Sequence, residues 1–159
     1  MKAILDMCAG LPAKPAPAGT VLLEEGASTG HAYVLVSGAL EVLRGDTQVS
    51  VLTEPGAMVG EMSVLLQAPH TATVRALGEA QVIEIENAET FFRAHPDLSW
   101  HIARVLANRL NAATTYLVDI KRQYEGHGSH LSMVGEVLEA LLHQQERPVR
   151  PGSRRDPGY

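Results

Sequence analysis

The stretch VGEMSVLLQAPHTATV, residues 59–74, decides the fold. Gly60 lets the backbone approach another group closely, and a short helix beginning at Glu61 would point free N–H groups at an anion. The end of the stretch, from Thr71 to Val74, has the composition of a strand. An anion cradle of this kind also calls for a cation, and the position that would supply one holds His70. Arginine there would be permanently charged and two-pronged, whereas histidine offers at most one useful N–H and, with a reference pKa of about 6.5, is mostly neutral at pH 7.

Working outward, the runs TVLLEEG, HAYVLVSGALEVLRGD, QVSVLTEPG, TATVRAL and AQVIEIE alternate between Thr20 and Glu86 with glycine or proline between them. Short strands at this spacing predict a mainly β jelly roll or barrel with no crossover helices. The RGD at 44–46 falls between two of these runs and reads as a hairpin turn. After Asn87 the period changes. AETFFRAHP makes one or two helical turns that end near Pro96, because the residue before a proline is pushed out of the α region. From Pro96 to about Glu125, Ile102, Leu106, Leu110, Ala113, Leu117, Ile120 and Tyr124 recur by threes and fours, which predicts one long helix. Leu98, Val105 and Tyr116 form a second stripe. Two apolar faces exceed what a helix lying on a barrel can bury, so a partner helix is implied, most simply from a second copy in a homodimer. GHGSH at 126–130 breaks the helix and LSMVGEVLEALLHQQ begins another, with Ser132 as its N-cap. The expected organisation is a domain over 1–125, an added helix over 126–146 and a disordered tail over 147–159.

The bulk properties exclude several classes. A chain of 159 residues, 45% hydrophobic and 19% charged, fits one domain with a modest appendage. No apolar run reaches the roughly 18 residues of a membrane span, and prolines interrupt the apolar start too early for a secretory signal, so a cytoplasmic protein is expected. Cys8 is the sole cysteine. A net charge of −5 argues against a general nucleic-acid surface, and only the tail, with Arg147, Arg150, Arg154 and Arg155, is locally basic. A metal-dependent jelly-roll enzyme would carry clustered histidines, typically His-x-His on one strand; His31, His70 and His95 are scattered, so no catalytic or metal site is expected.

Taken together, the glycines at 26, 38, 56 and 60, the GEMSVLL turn, the TATVRA strand and the long helix resemble the cyclic-nucleotide-binding domain family over roughly residues 15–125. In that family a phosphate-binding cassette runs from a Phe-Gly-Glu-like start to a Pro-Arg-x-Ala-Thr/Ser-Val-like end; here it reads Gly60, Glu61, Met62, Ser63 through His70, Thr71, Ala72. The resemblance implies that Glu61 accepts from a ribose 2′-hydroxyl, and that Thr71 and the Ala72 N–H meet the exocyclic phosphate oxygens. The bland alternative for Glu61 is a helix-start carboxylate stabilised by the dipole. His70 in place of arginine is either a weakened phosphate ligand, at a loss of about 1.5–3 kcal/mol, or an ordinary loop histidine in a domain that no longer binds nucleotide. By analogy with relatives whose long helix touches the base, Thr114 is the expected purine contact. Family members that regulate genes add a helix-turn-helix; one further helix and a tail leave no recognition helix here, so DNA binding is not expected. The expected role is a non-catalytic receptor for a cyclic nucleotide, cAMP ahead of cGMP, that needs no other cofactor and signals to a protein effector through its C-terminal helices.

Overall fold

The computed structural model describes residues 2–123 and 131–142. A short helix α1 (Lys2–Met7) precedes strands β1 (Ala13–Ala16), β2 (Val21–Leu23), β3 (Ala32–Ser37), β4 (Leu40–Arg44), β5 (Thr47–Leu52) and β6 (Met58–Val59). Helix α2 (Glu61–Leu66) interrupts the strands, which resume as β7 (Thr73–Ala76) and β8 (Ala80–Ile85) before helices α3 (Ala88–Ala94), α4 (Pro96–Gln123) and α5 (Leu131–Leu142). The strands pair antiparallel in two four-stranded sheets, ordered β1-β8-β3-β6 and β2-β7-β4-β5. This is a β-roll of two sheets, in keeping with the jelly roll that the strand spacing predicts and not a closed barrel. Gly60, between β6 and α2, meets Leu23 at the end of β2 and Ala32 at the start of β3.

Alternation builds the core. Leu40 on β4 pairs with Ala76 and Val42 with Val74, and these residues face inward with Leu23, Leu35, Val59 and Val82. In β3 and β8 the opposite face is buried too, with Val34, Ile83 and Ile85 as enclosed as Leu35 and Val82. Helix α1 packs against β3 and buries Ile4 and Cys8. Neither α1 nor β1 was expected. The former is a single turn and a half, and AKPA has no period-two pattern; Pro15 is tolerated because β1 pairs on one side only, with β8. Burial pushes the Cys8 thiol pKa up, which keeps it an inert part of this packing.

Gly38 in the β3–β4 turn sits at φ +90°, and a Cβ there would lie 2.7 Å from the Ala80 Cα on β8. The turn is therefore closed to other residues by conformation and by space.

The described residues divide by their contacts into two units, one ending at Ala103 and one beginning at Arg104, so the boundary falls within α4. In the first unit Leu98 and Ile102 of α4 are buried. In the second, Leu106, Leu117 and Ile120 are half-buried, while Leu110 and Tyr116 are 47% and 67% exposed. The apolar stripe thus extends past what the described residues cover. The GHGSH break, the last residues expected of the final helix and the basic tail lie outside the described residues.

Gly38→Ala is expected to cost about 1–2 kcal/mol for the left-handed backbone alone, and more once β8 must shift. Thermal unfolding checks this; an unchanged melting temperature would refute the tight turn.

Candidate functional site

Gly60 is the N-cap of α2 with φ +89° and ψ −11°. A Cβ on it would stand 2.6 Å from the His31 carbonyl and 3.1 Å from the Ala32 Cα, so the turn is pressed directly against the start of β3. This close approach aims α2. Glu61, its first residue, is only 5% exposed, and Ser63 is buried as well, while Met62 is 42% exposed. The helix ends at Gln67, which takes φ +49°, and the Ala68 N–H donates to the Ser63 carbonyl at 3.0 Å.

The chain then returns through His70, which is 4% exposed. Its backbone N–H donates to the Ala27 carbonyl and its carbonyl accepts from the Gly26 N–H, both at 2.8 Å, so the segment is stitched to the 26–31 loop. Both ring nitrogens are engaged: Nδ1 lies 2.8 Å from Ser63 Oγ and Nε2 lies 2.8 Å from Thr29 Oγ1. The proton positions follow from the neighbours. Ser63 Oγ donates to the Gly60 carbonyl at 2.9 Å, which uses its only hydrogen, so it accepts from Nδ1–H. Nε2 is then the acceptor, and the Thr29 hydroxyl donates to it while accepting the His31 N–H at 3.2 Å. One directed chain of hydrogen bonds thus runs from His31 through Thr29, neutral His70 and Ser63 to Gly60. Protonation would put a second donor where Thr29 already donates.

Burial lowers the His70 pKa, and the positive charge of nearby His31 lowers it further. His31 itself lies 3.2 Å from Glu84 Oε1, which also accepts from Tyr33 Oη at 2.9 Å, while Lys14 Nζ donates to Oε2 at 2.6 Å. Desolvation first, then the Glu84 hydrogen bond, raise the Tyr33 pKa, whereas Lys14 holds Glu84 below the usual carboxylate range. No motif in the sequence links Lys14, Tyr33 and Glu84; the β1–β8–β3 pairing brings them together.

The expected phosphate partners therefore stand as follows. Gly60, Glu61, Met62, Ser63, His70, Thr71 and Ala72 are all on one continuous turn–helix–loop. Thr71 is exposed and Ala72 half-buried just before β7. The His70 ring, expected to offer an N–H to a ligand, spends both nitrogens within the protein. Thr114 belongs to the second unit, on α4. Arg75, across from Glu41 in the β4–β7 register, forms an ion pair with it, and Gln48 donates to the same carboxylate at 2.9 Å. Arg75 and then Gln48 hold the Glu41 carboxyl below its ordinary value.

A cavity of ≈ 260 Å³ is lined by Ser28, Thr29, Ser63, Gln67 and Glu89 among others. Of the expected phosphate contacts only Ser63 lines it; Gly60, Glu61, Thr71 and Ala72 do not.

The profile of the cyclic nucleotide-binding domain matches residues 13–93, half of the chain, spanning all eight strands, α2 and all of α3 but its last residue. The chain belongs to the cyclic nucleotide-binding domain family. Among curated proteins, it is 33% identical over 111 residues to the Pycsar effector protein XpPycTIR of Xanthomonas perforans, covering 68% of this chain and 36% of the relative. It is 24% identical over 110 residues to a CRP-like cAMP-activated global transcriptional regulator of Mycobacterium tuberculosis, covering 65% and 49%. The chain thus spans from about a third to half of these relatives' length. The Thermus thermophilus catabolite activator protein shares the fold, with a TM-score of 0.60 at 20% identity over 90% of this chain and 82% of that one.

A His whose pKa is lowered by folding stabilises the fold fully above the unfolded value, and that stability is lost as pH falls through the lower folded value. Unfolding free energy is therefore expected to drop as pH falls from about 6.5, the model-compound value. His70→Gln should flatten that slope and cost about 1–3 kcal/mol at pH 7.5 by stranding a buried hydroxyl partner. Urea unfolding across the pH range checks both; a slope that survives the substitution would move the titration to another group.

Proposed function

We propose that this domain is a non-catalytic cyclic-nucleotide sensor, with cAMP ahead of cGMP as ligand. The carrying observation is the cassette: Gly60 jammed against β3, a buried Glu61 at the start of α2, and Thr71 and Ala72 at the head of β7. On this reading Glu61 accepts from the ribose 2′-hydroxyl, the backbone of 60–63 and 71–72 donates to the cyclic phosphodiester, and Thr114 meets the purine. The similarity to a cAMP-activated transcriptional regulator of Mycobacterium tuberculosis supports it. The bare apolar stripe of α4, with Leu110 and Tyr116 exposed, supports a homodimer through the 96–125 helix. Ligand binding would tighten the cassette, move α4, and pass the change through α5 to a protein effector.

A second reading has its own observation. The position of the usual arginine holds a ring that is satisfied inside the protein by Ser63 and Thr29, as a loop residue in a domain that has lost nucleotide binding would be. Calorimetry separates the two. The sensor reading predicts heat on titration with cAMP, and affinity that does not rise between pH 8 and pH 6, because neutral His70 is not the phosphate's cation. Absence of heat at millimolar cAMP and cGMP would leave only the interaction module.

The dimer is checked by light scattering. Leu110→Glu is expected to convert dimer to monomer with little change in melting of the roll; a monomer in the unsubstituted protein at every concentration would remove the helix-pairing proposal.

A further inference from the structure

A cyclic phosphate carries a full negative charge, and the cassette's own histidine does not answer it. The described cationic side chains between residues 3 and 103 are Lys14, Arg44, Arg75 and Arg93. Three are committed to carboxylates: Lys14 to Glu84, Arg75 to Glu41 and Arg93 to Glu89. Arg44 has no ion pair among the described residues. Its Nε instead donates to the Thr71 carbonyl at 3.1 Å, which ties it to the first residue after His70.

The strand register explains why it is there. In the β4–β7 ladder Leu40 faces Ala76 and Val42 faces Val74, both inside the roll, with Leu43 opposite Thr73. Side chains alternate along a strand, so Arg44 leaves β4 on the same side as Val42, at the mouth of the roll beside the 71–72 segment. The neighbouring backbone is tied down on both sides. The Gly45 N–H donates to Glu25 Oε2 at 2.8 Å, and the Glu25 N–H donates to Thr73 Oγ1 at 3.0 Å. The hairpin, the end of β2 and the head of β7 are thereby laced together around Arg44. With Nε spent on Thr71, the planar fork keeps its two terminal amino groups for an acceptor next to that carbonyl.

We propose, on the reading of the domain as a cyclic-nucleotide binder, that Arg44 supplies the cation of the phosphate site, displaced from the cassette arginine position onto the β4–β5 hairpin. It holds Thr71 through Nε and presents its terminal N–H groups to the exocyclic phosphate oxygens. The sequence hides this residue inside an RGD turn, where it reads as hairpin punctuation.

The test is calorimetry on the full chain with the 3′,5′-cyclic monophosphates of adenosine, guanosine, cytidine and uridine, which share the phosphate. Arg44→Gln keeps a hydrogen-bond donor for Thr71 but removes the charge, and is expected to weaken binding on the order of ten- to a hundredfold. It should also blunt the loss of affinity that added salt causes in the unsubstituted protein, an effect that a merely structural role would not produce. Arg44→Lys should fall between the two, retaining the salt dependence without the fork. Binding by the unsubstituted protein with equal affinity and salt dependence in Arg44→Gln overturns the proposal alone. If Arg44→Gln fails to fold, Arg44→Lys decides: weakened binding at an unchanged melting temperature supports the assignment and unweakened binding overturns it. No binding of any of the four by the unsubstituted protein overturns the sensor reading and the assignment with it.

Discussion

Everything at the site depends on the backbone contact between Gly60 and the start of β3. A left-handed turn with no side chain allows the Gly60 backbone to lie against the His31 carbonyl and the Ala32 Cα. That contact brings Glu61 into a buried position and starts α2 there. It also places Ser63 over the Gly60 carbonyl, and Ser63 in turn seats the His70 ring. One glycine thus sets the angle of the helix, the enclosure of a carboxylate and the tautomer of a histidine six residues beyond the helix start's first turn.

His70 acts as a clasp between the cassette and the 26–31 loop. Its backbone bonds to Ala27 and Gly26, and its ring bridges Ser63 and Thr29. A neutral imidazole suits this position because each nitrogen meets a hydroxyl in the role that hydroxyl has left. Burial and the neighbouring His31 both favour that neutral form. On the proposal made above, the electrostatic demand of an anionic ligand falls instead on Arg44, which has no ion pair among the described residues and donates to the Thr71 carbonyl just before β7.

Much of the fold was legible in the sequence. The strand runs, the α3 turn before Pro96 and the long helical period are strong local signals, and the structure has β-strands and helices at each of them. The missing pieces, α1 and β1, carry no such signal: KAILDM is too short for a helical period, and AKPA is a strand only because β8 offers it an edge. The turn at Gly60, the short helix that begins at Glu61 and the strand that follows were legible as well, because they lie within one stretch. The setting of His70 was not, since Thr29 is 41 residues away in sequence. Arg44 was read as part of a turn for the same reason: its link to Thr71 spans 27 residues and exists only through the β4–β7 register.

The central claim is that the 60–72 cassette holds a cyclic phosphate with a neutral His70 behind it. Its most direct test is a titration of the ¹⁵N-labelled protein with cAMP followed by NMR. The account predicts that the amide signals of Gly60, Glu61, Met62, Ser63, Thr71 and Ala72 shift together, while the His70 ring nitrogens keep the shifts of a neutral Nδ1–H imidazole. Shifts absent from the cassette at saturating ligand, or a His70 ring that becomes an imidazolium on binding, would contradict it.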